Sequence, residues 1–253
     1  MAHIGLQLYT VRDRSEDFPE LLRRIREIGY EGVEFAGYRK QSASALKALG
    51  QALNLRLVSS HIGFETLRGD REAALQTARE LGLEYVVCPA TPESWRKTRE
   101  DYLRLADWFN TVGNDCRQQG LKFGYHNHRA EFDDFDGSRG LDILLGHTDP
   151  ALVQMELDVF WVEKAGYRAI DYLEKYAGRC DLIHIKDMTR DDRQTFAEVG
   201  QGTLDIPNLV KTARASGVQW LIVEQDVCEG DSIQSVTSSY DYLRTLAEAS
   251  NLR

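Results

Sequence analysis

The sequence predicts a single α/β domain, residues 1–253, whose eight parallel strands close into a (β/α)8 barrel. Three observations carry that prediction. Strand-like and helix-like segments alternate eight times along the chain, and strict alternation implies parallel strands joined by helical crossovers. The 253 residues, 42% hydrophobic, suit barrels of this class, which commonly run to about 250 residues as one domain. No Pro/Gly/Ser-rich linker or low-complexity run interrupts the chain. The alternative is an open doubly wound sheet. No GxGxxG follows the first strand, which weakens a dinucleotide-binding version of it.

The elements follow in order. Residues 4–9 (IGLQLY) read as a buried strand. Residues 13–28 have helical spacing, with Phe18, Leu21, Leu22, Ile25 and Ile28 on one face, and Gly29 stops them. A short strand, 32–35 (GVEF), precedes a helix over 42–53. Residues 55–60 (LRLVSS) are the third strand, ending at His61, and a third helix over 71–81 is closed by Gly82. Residues 85–88 (YVVC) form the fourth strand, stopped by Pro89. A long helical stretch covers 95–119. Residues 121–128 are the fifth strand, and a short helix carries 141–145. The sixth strand is 152–159 (LVQMELDV), with a helix over 167–176. The seventh is 182–185 (LIHI), leading into Lys186 and Asp187 and a polar loop over 189–203. A helix over 206–215, an eighth strand at 220–223 (WLIV) and a helix over 232–248 complete the pattern.

Composition excludes several classes. The net charge is −9 and no basic stripe marks a nucleic-acid binder. No apolar run reaches membrane-spanning length. The N-terminus, MAHIGLQLYT, lacks the basic and apolar regions of a secretory signal. The four scattered cysteines, Cys88, Cys116, Cys180 and Cys228, form no CxxC pair and read as reduced thiols of a cytoplasmic protein.

Parallel barrels keep their chemistry at the C-terminal rim, so the strand ends can be collected. They offer Gln7 and Tyr9, Glu34, His61, Cys88, then His126 and His128 with Glu131 just beyond. Glu156 and Asp158 follow, then His184, Lys186 and Asp187, and finally Glu224 and Asp226. Four of the six histidines fall there. In LKFGYHNHRAEF (121–132), His126 and His128 face the same way if the strand continues that far. Glu131 lies in the following loop. Charged and imidazole groups are costly in a core unless paired. Their clustering at one rim therefore predicts a functional site. Carboxylates with imidazole and no cysteine pair favour one divalent ion, Mn²⁺, Co²⁺, Mg²⁺ or Zn²⁺. Such an ion can bridge the carbonyl and neighbouring hydroxyl of a sugar and stabilise an enediolate. Structural roles compete for each residue: Asp158 as a loop anchor, His184 as a buried strand histidine, Glu224 as a partner of Lys186. Glu34 and His61 read as substrate-side groups, and Trp161 as an aromatic that could stack on a sugar face. The loop at Gly200 and Gly202 carries N–H groups of the kind that bind phosphate, in a pattern too loose to assign one.

The chain resembles the xylose isomerase-like TIM barrels, the group of sugar phosphate isomerases and epimerases. The resemblance spans nearly the whole sequence and rests on GLQLYTVRD, GYEGVEFAG, GYHNHRAEF, ELDVFWVEKAG, LIHIKDM, GQGTLDI and WLIVEQD. It implies a divalent ion held by a carboxylate of the fifth strand, an aspartate of the sixth, a histidine of the seventh and a glutamate of the eighth. Three of those positions are Asp158, His184 and Glu224. For the fifth, many relatives have a glutamate where this chain has His126, so either His126 ligates or Glu131 reaches back. Glu131 is favoured, because a carboxylate balances the ion's charge. The implied activity is isomerisation or epimerisation of a small keto-sugar or sugar derivative through an enediolate. Glu224 would transfer a proton, with Glu131, His126 or His128 opposite it, and Lys186, His61, Glu34, Trp161 and Gln7 would bind substrate. The alternative is a lyase, dehydratase or 3-keto-glycoside-cleaving enzyme using the same site. An endonuclease IV-like nuclease fits the acidic balance poorly. No nucleic-acid or membrane partner is expected. Oligomeric state is open, a homo-oligomer included.

Overall fold

Eight short strands close on themselves: His3–Gln7 (β1), Gly32–Phe35 (β2), Arg56–His61 (β3), Tyr85–Cys88 (β4), Lys122–His126 (β5), Val153–Asp158 (β6), Leu182–Ile185 (β7) and Trp220–Val223 (β8). Each pairs in parallel with its sequence neighbours, and β8 returns to β1 through His3–Trp220 and Leu6–Val223. The expected (β/α)8 barrel is thus the observed one. The structure, a computed structural model, describes residues 2–251.

Alternation along the strands sorts side chains into two sets. Leu6, Val33, Phe123, Tyr125, Leu157, Ile183, Ile185, Leu221 and Val223 face outward and are buried beneath the helices in the main core. In the N-terminal half of the barrel the inward set is a separate apolar cluster of Val58, Tyr85, Val87, Leu182, Trp220 and Ile222. It plugs the barrel from below. Gly32 leaves the space for this plug, because a Cβ there would sit 2.6 Å from Val58 Cγ2 and 2.7 Å from Trp220 Cη2.

The β2–β3 pairing contains an irregularity. Val33 pairs with Leu57, but Glu34 pairs with Ser59. Val58 joins the interior plug, and the next residue, Ser59, also turns inward to reach Glu34. A bulge of this kind re-aims the residues that follow. Here it brings His61, rather than Ser60, onto the inner face beside Glu34 and Glu156.

Several helix boundaries differ from expectation for local reasons. The first helix is Phe18–Ile28 rather than 13–28, with Pro in its first turn fixing the start. The first strand ends at Gln7 rather than Tyr9, because Leu8–Val11 form a 3₁₀ turn. The stretch expected over 95–119 is helical only at Arg99–Gln118, because Thr98 and Asp101 form a reciprocal capping box. Two one-turn-plus helices that the periodicity does not reveal, Phe64–Gly69 and Val159–Lys164, follow β3 and β6. Strand β5 ends at His126. Among the described residues no helix is long and apolar enough to cross a membrane, and all four cysteines are free.

Candidate functional site

Above the apolar plug the inward positions turn polar, in two tiers. The lower tier is built on Glu34 and Glu156, both with no exposure. Glu34 Oε1 accepts from Gln7 Nε2 at 2.7 Å and from His184 Nε2 at 2.7 Å, and Oε2 accepts from Ser59 Oγ at 2.7 Å. Glu156 Oε2 lies 2.9 Å from His61 Nε2 and 3.3 Å from His184 Nε2. Its Oε1 has no hydrogen-bond partner.

The upper tier is built on Asp158 and Glu224. His126 Nε2 lies 3.1 Å from Asp158 Oδ2, and His184 Nδ1 lies 2.8 Å from Glu224 Oε2. Lys186 Nζ sits 2.9 Å from Asp158, 2.6 Å from Glu224 and 2.6 Å from Asp226. Asn127 straps Asp158 in place: its Oδ1 accepts from Asp158 N at 3.0 Å. Asp158 Oδ1 also accepts from Trp161 N, capping the helix that follows. The loop-anchor role and the Lys186 pairing weighed from sequence are therefore both present, alongside the clustering.

The electrostatics follow from burial against pairing. Burial alone would raise the carboxyls. The histidines and Lys186 outweigh it and hold Glu34, Asp158 and Glu224 below the ordinary range. His61 is opposed by burial, yet Glu34 and Glu156 lift it to about 10. His128 has no such partner; burial and the adjacent His126 push it down to about 3. Asp226 is raised by burial despite Lys186.

The donor set suits a divalent cation. Ligating atoms of His126, Asp158, His184 and Glu224 all lie within 4.8 Å of one another, and all four residues are buried. The His126 Nδ1–H donates to the Pro89 carbonyl at 3.3 Å. Nε2 then faces the Asp158 carboxylate at 3.1 Å, a place that a hydrogen fills in the metal-free protein and a cation could take. Metal-binding histidines are typically oriented in this way, through the other ring nitrogen.

Glu131, the ligand favoured from sequence, is not brought into this group. It is 2% exposed. Its Oε1 accepts from Tyr125 Oη at 2.8 Å and its Oε2 from His128 N at 2.7 Å. Both oxygens thus hold the turn after β5, and His126 occupies the fifth-strand position. Gln7 and Glu34 also differ from expectation, lying under the site rather than on its surface. Lys186, 1% exposed, is committed to three carboxylates. Trp161 packs at 5.6 Å from His128 and edge-on against Phe160. The Gly200 and Gly202 N–H groups are taken by the Asp187 carboxylate, at 2.9 and 3.0 Å, so they are not free for a phosphate. Sequence reasoning did not single out Ser59 or Asn127. The polar, inward-facing position of Ser59 becomes visible only with the β3 bulge.

The upper tier floors a cavity of about 420 Å³ lined by Tyr9, His61, His126, His128, Glu224 and Asp226, among others. Of the expected substrate-binding residues, His61 reaches this surface. Its side chain is 11% exposed.

A closed parallel barrel that gathers carboxylates and imidazoles at its C-terminal mouth is the arrangement of a (β/α)8 enzyme. The chain belongs to the xylose isomerase-like TIM barrel family, whose model matches residues 22–246. It is 25% identical over 248 positions to an inosose dehydratase of Geobacillus kaustophilus (strain HTA426), covering 82% of this chain and 79% of that one. A crystal structure of a sugar phosphate isomerase/epimerase from Parabacteroides distasonis ATCC 8503 superposes with a TM-score of 0.83 at 26% identity, covering 96% of this chain and 94% of that one. The IOLI protein, crystallised with a binding zinc atom, shares the fold at a TM-score of 0.76 and 14% identity, covering 96% and 97% of the two chains.

Proposed function

We propose that the chain is a divalent-metal-dependent enzyme that removes a proton beside the carbonyl of a small keto-sugar or keto-polyol and then expels water. The observation that carries this reading is the convergence of His126, Asp158, His184 and Glu224 within 4.8 Å, with His126 and Glu224 reaching the wall of one cavity and Asp158 and His184 buried behind them. Those four residues would hold the ion, His126 through Nε2 and His184 through Nδ1. When bound, such an ion supplies a Lewis acid that polarises the carbonyl and offsets the developing negative charge.

The chain's own groups divide the remaining work. Glu224, in contact with Lys186 and with His184 Nδ1, is placed for ligation. His128 lines the cavity beside His126, and on that placement it is the acceptor. His61, kept charged by Glu34 and Glu156, is the donor to the departing hydroxyl. Lys186 balances the carboxylates from behind. Dehydration is supported by the inosose dehydratase likeness. A second reading, isomerisation or epimerisation by the same first step, is supported by the Parabacteroides neighbour.

The test is incubation of metal-loaded protein with keto-inositols and ketoses in deuterated water. Loss of water with solvent deuterium in the product is expected. A deuterated product that keeps the elements of water would replace dehydration by isomerisation. No exchange with any substrate would remove the proton-abstraction chemistry altogether.

A further inference from the structure

We infer that Glu34 is a positioning residue that fixes which nitrogen of His184 faces the cation; this rests on the reading above that His184 is a ligand. Glu34 occupies a strand-end position that suggests a substrate contact, yet it has no exposure and is held by four groups, Gln7, Ser59, His61 and His184. Gln7 Nε2 and Ser59 Oγ each donate to it at 2.7 Å. Gln7 is itself fixed, its Oε1 accepting from Tyr9 N at 3.0 Å. A carboxylate clamped in this way presents Oε1 to His184 Nε2 at 2.7 Å, with His61 Nε2 beside it at 3.1 Å.

The neutral imidazole carries one N–H. In the metal-free protein both nitrogens face carboxylates, Nε2 at Glu34 and Nδ1 at Glu224. Once a cation replaces the Nδ1 hydrogen, the one that remains is on Nε2, directed at Glu34, and the Nδ1 lone pair is turned to the cation. In the other tautomer Nδ1 would bear the hydrogen and could not ligate. A buried carboxylate on the distal nitrogen also makes the ring a stronger donor. The bulge in β3 serves this arrangement, because it turns Ser59 inward to complete the clamp.

Glu34, His61, Glu156 and His184 also have ligating atoms within 4.8 Å of one another, so the same residues could be imagined as a second cation site. Occupation of both groups would require His184 to lose both ring hydrogens. The positioning role needs only the hydrogen bond that is present.

The experiment is titration of metal-stripped protein with Zn²⁺ against a chromophoric chelator. It compares the parent with Glu34→Gln, Ser59→Ala and His184→Ala, with thermal unfolding of each stripped protein as the control for fold. The parent is expected to bind one Zn²⁺ per chain. Glu34→Gln should still bind one, with Kd raised roughly 10–100-fold, and Ser59→Ala should raise Kd about fivefold. In the Zn²⁺-loaded parent, long-range ¹H–¹⁵N spectra should show the His184 hydrogen on Nε2. Unchanged affinity in Glu34→Gln overturns the proposal. Two ions in the parent and one in Glu34→Gln would also overturn it, making Glu34 a ligand. If Glu34→Gln does not fold, Ser59→Ala decides: unchanged Kd there overturns the clamp. Equal Zn²⁺ binding by parent and His184→Ala is a different result. It removes the ligand role of His184, and the positioning role with it.

Discussion

Below the level of Glu34 the barrel axis is filled by Val58, Tyr85, Val87, Leu182, Trp220 and Ile222. Above it, the same β7 that supplies Leu182 supplies His184, and the chain beyond β8, which supplies Trp220 and Ile222, supplies Glu224. The lower half is complete in itself, since apolar groups packed against one another need no further partner. The upper half buries Glu34, Glu156, Asp158 and Glu224 with no more than 5% exposure each, against one lysine and a set of imidazoles. Buried ion pairs add little net stability, because desolvation cancels much of their attraction. The lower half therefore carries the fold, the upper half is where the proposed chemistry would sit, and substitutions should separate the two.

The largest separation is expected from Asp158→Asn. Loss of a ligand and of its charge should lower turnover roughly a thousandfold, since a bound ion supplies several kcal/mol of transition-state stabilisation. Circular dichroism should show the barrel retained. Removing the ion with a chelator should reproduce the loss reversibly. Trp220→Ala is the opposite case: about 3–5 kcal/mol of stability lost in urea unfolding, with Zn²⁺ affinity unchanged. Gly32→Ala, which drives a methyl into Val58 and Trp220, should cost about 1–3 kcal/mol by overpacking.

The comparison also explains which parts could be read from sequence. All eight strands were legible, because runs such as YVVC, LIHI and WLIV are short, apolar and bounded by glycine, proline or charge. The convergence of Asp158, His184 and Glu224 was legible as well, because a parallel barrel sends every strand's C-terminal end to one rim. The fifth-strand position was not. Its outcome depends on whether Glu131 spends its oxygens on Tyr125 and His128 N, which are contacts between a loop and a strand that spacing does not encode. The single-turn helices after β3 and β6 are too short to show periodicity. The inward turn of Ser59 and His61 follows from a bulge, which shifts the alternation on which the reading of strand faces rests.

Titration gives a smaller effect that sharpens the same contrast. In metal-free protein His61 is raised from 6.5 to about 10. Its contribution to stability is therefore fully present below about pH 6.5 and is lost as pH rises toward 10. Glu34 and Glu224 are lowered, so their contribution is present above about pH 4.5 and is lost as pH falls. Urea midpoints of stripped protein should decline on both sides, with the alkaline decline starting near neutrality. His61→Gln should shrink the alkaline limb, with His184, raised by Glu156, Glu224 and Glu34, carrying the rest; an unaltered limb would show that the His61 ring does not contribute. The smallest effect on binding is expected from Glu131→Gln. It should cost about 1–3 kcal/mol of stability, because a charged, buried pair of hydrogen bonds is weakened, and leave Zn²⁺ affinity as it was. His126→Ala should lower that affinity.

The most direct measurement is anomalous diffraction from crystals loaded with zinc, cobalt or manganese. The account predicts one anomalous peak per chain, bound by a ring nitrogen each from His126 and His184 and by carboxylate oxygens of Asp158 and Glu224. A peak on Glu131, a peak confined to Glu34 and Glu156, or no peak at the mouth of a fully loaded barrel would contradict it.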